Sequence, residues 1–196
     1  MTQKLTIDEI CQKLEVADLS GFRKPGRNKG GRGQQLELAL GVANSSALTD
    51  LEDGEIKSFT FGESIAVTQL KHCLHEIITH KTPFHDSKVG TKIRNTLYIA
   101  FDRNGSFRSW KCAREYHGLL SKLTEDYEYI VGAVTSAYTN SKKLHTITGP
   151  NGALQIRTKA SKTKNGTYVP MTYQETELSN KGMAFYLTAK FAKSVF

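Results

Sequence analysis

Two periodicities alternate along this chain, and their order predicts a fold that mixes helices with strands. Ile7, Ile10, Cys11 and Leu14 recur at helical spacing, and Thr6 with Glu9 makes a capping box, so a short helix is expected to end near Ala17. Gln34 to Val42 repeats the spacing through Leu36, Ala39 and Leu40, with Glu37 set among them. From Gly54 to Phe61 the pattern changes to that of a strand, and Ile65 to His80 reads as helical or mixed. Arg94 to Phe101 is apolar and β-branched, as a buried strand requires, and a shorter strand is expected over Phe107 to Cys112.

Ala113 to Tyr138 carries Leu119, Leu120, Leu123, Tyr127, Ile130, Val131 and Val134 at helical spacing and predicts the longest helix. Its Tyr and Leu stripe suits a core face better than a ligand box. Ala153 to Lys159 and Met183 to Thr188 read as strands, and the polar stretch from Ser161 to Lys181 between them as a long hairpin arm or loop. No repeat and no clear linker divides the chain. A length of 196 residues then suggests one domain, or one domain with an added lobe.

Charge narrows the choice of partners. Twenty-seven Lys and Arg against nineteen Asp and Glu give +8 and a pI near 9.3, the sign expected of a protein that meets phosphates, although ribosomal and membrane-surface proteins share it. Five cations and five glycines crowd Gly21 to Gly33. That run reads either as a solvated linker or as a loop that approaches a phosphate backbone closely. Cys11, Cys73 and Cys112 are odd in number and in no metal-ligand spacing, which disfavours a disulfide framework and a zinc finger and favours a reducing compartment. With no signal-peptide core and no long apolar run, a soluble cytoplasmic chain is expected.

The chemistry concentrates in Thr49-Asp50-Leu51-Glu52-Asp53-Gly54-Glu55-Ile56-Lys57. In a strand Glu55 and Lys57 project from one face while Ile56 turns to the other. Asp50, Glu55 and the Ile56 carbonyl are the hard oxygen donors that Mg²⁺ prefers, and Lys57 is placed to neutralise charge developing on a phosphate. A Glu-x-Lys pair on a solvent-facing strand is also an ordinary ion pair worth little. His72 and His75, three apart, with His80 and His85 beyond them, have no third ligand at a recognised spacing and read as structural or solvent-facing. Serine-hydrolase, nucleotide-binding and dinucleotide motifs are absent from the sequence.

Five blocks taken together carry a family resemblance: Lys29 to Gly41, the Asp50, Glu55 and Lys57 triplet, Lys92 in Thr91-Lys92-Ile93-Arg94, Leu154 to Ala160, and Phe185-Tyr186-Leu187. In this order they resemble the motifs of the MutH and Sau-type GATC endonuclease family, within the PD-(D/E)xK nuclease superfamily. The resemblance implies an α/β fold of the α+β kind: a restriction-endonuclease-like mixed sheet flanked by helices, with an N-terminal catalytic lobe and a C-terminal reading lobe around a DNA cleft. It implies catalytic roles for Glu37, Asp50, Glu55, Lys57 and Lys92, with Asp50, Glu55 and Ile56 at the metal. Lys29, Arg157 and Lys159 match DNA-contacting positions, Arg157 being the base reader, and Tyr186 matches a tyrosine implicated in sensing adenine methylation. Arginine is the usual bidentate reader of guanine, which suits that role independently.

The activity implied is a Mg²⁺-dependent type II restriction-like endonuclease cutting double-stranded DNA at GATC, with Mn²⁺ able to substitute. The alternatives are a mismatch-repair nickase activated by a partner protein, or a catalytically silent DNA-binding module. A cytoplasmic protein of bacterial or phage origin is implied, with DNA and a second copy of the chain as partners and no membrane. Two departures stand out. Only four residues separate Asp50 from Glu55 where the family usually has six, leaving Glu52 and Asp53 as rival ligands, and Thr158 replaces the proline of the MutH pattern.

Overall fold

The computed structural model of the chain describes residues 4–19, 31–42, 51–115, 120–159, 163 and 165–196. In chain order the elements are α1 Ile7–Val16, α2 Gly31–Ala39, β1 Glu55–Thr60, β2 Ile65–Gln69, α3 Lys88–Arg94, β3 Thr96–Phe101, β4 Phe107–Cys112, α4 Leu120–Thr139, β5 Ile147–Thr148, β6 Leu154–Thr158, β7 Met171–Tyr173, β8 Thr176–Ser179, β9 Met183–Leu187 and α5 Ala189–Val195. This is a mixed α/β protein with several sheets. It divides into two compact units, the first made of Met1–Glu63, Lys92–Glu115 and Val195–Phe196, the second of Ser64–Thr91 and Tyr116–Ser194. Among the described residues no helix is long and apolar enough to cross a membrane.

The first unit is a three-stranded sheet in the order β1-β3-β4, with β1 parallel to β3 and β4 antiparallel to it. One face of this sheet is covered by helices. Ile7, Ile10 and Leu14 of α1 and Leu36 and Leu40 at α2 pack with Ile56, Leu97, Ile99, Phe101 and Cys112 into one buried cluster. Burying such side chains contributes about 1.5–3 kcal/mol each, so this cluster fixes which face of β1 is apolar. Glu55 and Lys57 consequently point to the opposite face.

A tight turn delivers β1. Thr6 caps α1 as expected, its hydroxyl accepting from the Glu9 amide while Glu9 accepts from the Thr6 amide. The Ile7 amide donates to Asp53 Oδ1 at 2.8 Å, and the Glu52 amide donates to the Leu5 carbonyl at 2.9 Å. Both bonds tie the turn to the helix start, where a carboxylate also meets the positive end of the helix dipole. Gly54 closes it. A Cβ there would lie 2.3 Å from the Asn95 carbonyl oxygen and 2.6 Å from Ile7 Cδ1, so no side chain fits.

The second unit is built on a four-stranded sheet in the order β2-β9-β6-β5, with β9 antiparallel to both β2 and β6, and on the separate hairpin β7-β8. Helix α4 packs Leu123, Tyr127, Ile130 and Val134 inward. Asp126, on the same buried stripe and fully enclosed, accepts from the amides of Asn151 (2.6 Å), Ala153 (2.6 Å) and Leu154 (2.8 Å). That one carboxylate organises the turn that starts β6. Gly149 makes room for it, since a Cβ there would sit 2.2 Å from Asp126 Cγ.

Several boundaries differ from those the pattern predicts. Helix α2 begins at Gly31, three residues before Gln34, because the packing of Leu36 and Leu40 outweighs the poor helix propensity of glycine. Ile65 to His80 begins as β2, whose Ile65 and Val67 are buried at strand spacing, and continues through a 3₁₀ turn Leu70–His72 and a π-helical turn Glu76–His80. Helix α4 begins at Leu120, whereas Ala113–Glu115 is a 3₁₀ turn. The stretch from Ser161 to Lys181 contains the β7-β8 hairpin.

Replacing Asp126 with Ala should leave three amides of that turn without an acceptor and lower stability by about 3 kcal/mol. Urea unfolding followed by circular dichroism measures this, and a loss below about 1 kcal/mol would show that the turn holds itself.

Candidate functional site

Glu55 opens β1 with its amide donating to the Asn95 carbonyl at 2.9 Å, and its side chain is almost fully enclosed at 7% exposure. A carboxylate so placed must be paired or neutralised. It is paired twice. Lys57 Nζ lies 2.7 Å from Glu55 Oε2, and Lys92 Nζ donates to Glu55 Oε1. Burial alone would push the Glu55 carboxyl up, but the charges and hydrogen bonds of Lys57 and Lys92 outweigh it and hold the group below its ordinary value. Two ammonium groups on one carboxylate leave an excess positive charge, which is what an anionic substrate requires.

Each lysine arrives by its own route. Lys57 follows from strand alternation, two residues after Glu55. Lys92 belongs to the last turn of α3, just ahead of β3, and the parallel register sets Glu55 beside Thr96. Thr96, fully buried, donates through its hydroxyl to the Lys92 carbonyl at 2.5 Å and so holds that turn. The same face continues across the sheet, where Lys57 pairs with Tyr98 and Tyr98 with Lys111. Tyr98 is buried beneath the Phe196 ring, 4.6 Å between centroids, and burial drives its hydroxyl pKa well up.

Glu37 occupies another position. In α2 its Oε1 and the Ser58 hydroxyl flank the space above Gly33, 3.9 and 3.7 Å from where a Cβ would stand. Ser58 alternates with Lys57, so this places the Glu37 carboxylate beside the helix-covered face of β1. Asp50 and Lys29 lie outside the described residues. Asp53 does not, and both its oxygens are engaged: Oδ1 accepts from Ile7, and Oδ2 from Arg114 Nη2 at 2.9 Å. Burial raises the Asp53 carboxyl, while the Ile7 amide and the Arg114 guanidinium together hold it below the usual value. Asp53 is thus a helix cap and ion-pair partner. Among the described residues no group of three or more His, Cys, Asp and Glu side chains is arranged to hold a metal ion.

In the second unit Arg157 and Tyr186 come together. Gln155 of β6 pairs with Tyr186 of β9, so Arg157, two residues along on the same face, reaches the ring diagonally. Its guanidinium lies 4.1 Å from the Tyr186 ring centre and donates to the Ser64 hydroxyl at 2.7 Å. Stacking on one side and a hydrogen bond at one nitrogen pre-orient a planar fork, which lowers the ordering cost of binding a planar acceptor pair. Lys159 follows β6, exposed, with its amide donating to the Gly182 carbonyl at 2.8 Å.

Thr96, Arg114, Lys111 and Ser64 have no clear signal in the sequence. Thr96 and Lys111 depend on strand register, Arg114 on the 3₁₀ turn after β4, and Ser64 meets Arg157 across 93 positions. Only Thr96 leaves a local trace, as a β-branched residue four after Lys92. No family model matches the chain, and no curated protein is detectably similar to it.

The Glu55 pairing has a pH signature. Its folded pKa lies below the unfolded value of about 4.3, so its contribution to stability is present above that pH and is lost as pH falls through the folded value. Carboxyl NMR should place Glu55 below an ordinary glutamate in the native chain and higher in Lys57→Met. An unchanged titration in Lys57→Met would mean that Lys57 does not hold the charge.

Proposed function

We propose that the protein is a Mg²⁺-dependent, sequence-specific DNA endonuclease of restriction type that hydrolyses phosphodiester bonds, with GATC as its site. The observation that carries this reading is the enclosed Glu55 carboxylate held between Lys57 and Lys92 at the head of β1. An acid with two ammonium groups, on a strand edge of a strongly basic chain, suits binding and polarising a phosphate. The resemblance to the MutH and Sau-type endonucleases supports the same chemistry, and with it a restriction-endonuclease-like fold whose two lobes clasp DNA.

The donors suit a hard cation. Glu55, the Ile56 carbonyl and Asp50 are oxygen ligands with neither imidazole nor thiolate among them, a set that favours Mg²⁺ or Mn²⁺ over zinc. Mg²⁺ commonly takes only one or two carboxylates from a protein and completes its shell with waters and substrate phosphate, so one enclosed glutamate and one further acid suffice. When bound, the ion supplies charge neutralisation at the phosphate and acidifies a water.

The chain's own residues do the rest. Glu55 pairs with both Lys57 and Lys92 and fixes their ammonium groups on one side of the scissile phosphate. Those groups stabilise the non-bridging oxygens as negative charge grows, and orient the water that attacks phosphorus. Cleavage of the P–O3′ bond leaves a 5′-phosphate and a 3′-hydroxyl. Arg157, stacked on the buried Tyr186 ring, reads guanine through its fork. A palindromic site cut on both strands calls for a second copy of the chain on the DNA.

Glu55→Ala and Lys57→Ala should each reduce cleavage of a GATC duplex by at least about a hundredfold while leaving its binding in Ca²⁺ within a few-fold. Undiminished cutting in Mg²⁺ by either variant would remove the cluster from catalysis. Arg157→Ala should lose about 1–3 kcal/mol of discrimination between GATC and a duplex with one changed base pair, measured by competition binding. Equal weakening on all sequences would make Arg157 a phosphate contact instead.

A further inference from the structure

The π-helical turn Glu76–His80 creates an arrangement that the spacing of the histidines conceals. In a π turn the backbone bonds run from residue i to i+5, as in the Lys81 amide donating to the Glu76 carbonyl, so side chains five apart stack on one face. Lys81 ends the turn in the left-handed region at φ 49°. The outcome is that His75 and His80 meet, rather than His72 and His75. Their Nε2 atoms are 3.1 Å apart, with ring centres 4.7 Å apart and planes at 85°.

We propose that His75 and His80 form a two-imidazole chelate for a borderline divalent transition ion of the zinc class. Two nitrogens at about 2.0–2.1 Å from one ion stand roughly 2.9 Å apart at a right angle and roughly 3.4 Å apart in a tetrahedron. The observed separation falls between these values. A metal-binding imidazole must also present its lone pair on the ligating nitrogen, which requires the proton to sit on the other one. Here the His75 Nδ1 is 2.9 Å from the Tyr173 hydroxyl, and that hydroxyl is 2.9 Å from Thr79 Oγ1. With the proton on Nδ1, a run of donors from Nδ1–H to Tyr173 to Thr79 leaves Nε2 as the lone-pair atom facing His80, the tautomer that a bound ion selects.

Such an outer partner orients a ligating histidine and raises its basicity. Tyr173 is itself steadied: its ring packs edge-on against Tyr138 at 5.5 Å, and Tyr138 donates to Gln174 Oε1. Among the described residues no third His, Cys, Asp or Glu completes the set, so waters fill the remaining positions. His75 and His80 are exposed, which gives an ion direct access. Their nitrogen donors select against Mg²⁺, so this site and the Glu55 cluster answer to different metals, and the inference is independent of the nuclease reading.

Titration of the intact protein with ZnCl₂ by isothermal calorimetry should give one site per chain. His75→Gln and His80→Gln should each weaken it by more than about tenfold, since loss of a ligand costs at least as much as loss of an outer partner. His145→Gln should bind as the native chain does, and excess Mg²⁺ should not compete. As a second readout, Zn²⁺ should raise the thermal midpoint of the native protein but not that of His80→Gln. No saturable zinc binding, native-strength binding by either His75→Gln or His80→Gln, or an equal loss in His145→Gln would each overturn the proposal.

Discussion

The Glu55 carboxylate is the interaction on which the rest of the first unit turns. An ionised acid at 7% exposure is tolerable only with partners, and the parallel pairing of β1 with β3 provides them by bringing the last turn of α3 beside the head of β1. Removing either lysine would leave a buried charge partly uncompensated, so the three side chains form one electrostatic unit. The apolar cluster on the other face of the sheet supplies the stability against which this polar group is maintained. One face carries the helix-covered core, while the other holds the charges of Glu55, Lys57 and Lys92 beside Tyr98 and Phe196. Separating those tasks by strand alternation lets Ile56 lie between Glu55 and Lys57 without disturbing either.

The turn before β1 explains why the acidic run is so short. Leu51 is fully buried, Asp53 caps α1 and pairs with Arg114, and Gly54 sits where no Cβ fits. Each of these positions has a structural task, which leaves Glu55 and the exposed Glu52 as the described acids of the run whose carboxylates are not tied to the turn. Asp53, a rival ligand by sequence, is accounted for by its two hydrogen-bonded oxygens. The segment from Leu51 into Glu55 is a turn tied to the start of α1 by the Glu52 amide and the Asp53 carboxylate.

What could be read from the sequence was what local physics decides. The capping box at Thr6 and Glu9, strand β4 and the inward stripe of α4 all depend on neighbours within a few residues. Lys92 was legible as a motif residue, but its helix was not, because seven residues with only Val89 and Ile93 as large buried apolar positions carry too little periodicity. The Arg157 and Ser64 contact, and the row Lys57, Tyr98 and Lys111, depend on strand pairing across long separations. The π turn shows the same limit in miniature. The histidines read as structural or solvent-facing from their spacing, whereas an i-to-i+5 backbone bond brings His75 to His80. Two lobes were expected only from the family resemblance, and the pattern along the chain shows no boundary because each unit is assembled from separated stretches.

Under the proposed function a phosphate is cut beside Glu55, at a sequence read by Arg157. Digestion of one plasmid, prepared with and without adenine methylation at GATC, tests it most directly when run in Mg²⁺ and in EDTA and resolved on native and denaturing gels. Mg²⁺-dependent fragments are expected, with ends that map to GATC and carry 5′-phosphates and with methylation changing the extent of cutting. An intact plasmid of both preparations, over the full range of enzyme and Mg²⁺ concentrations, would contradict it.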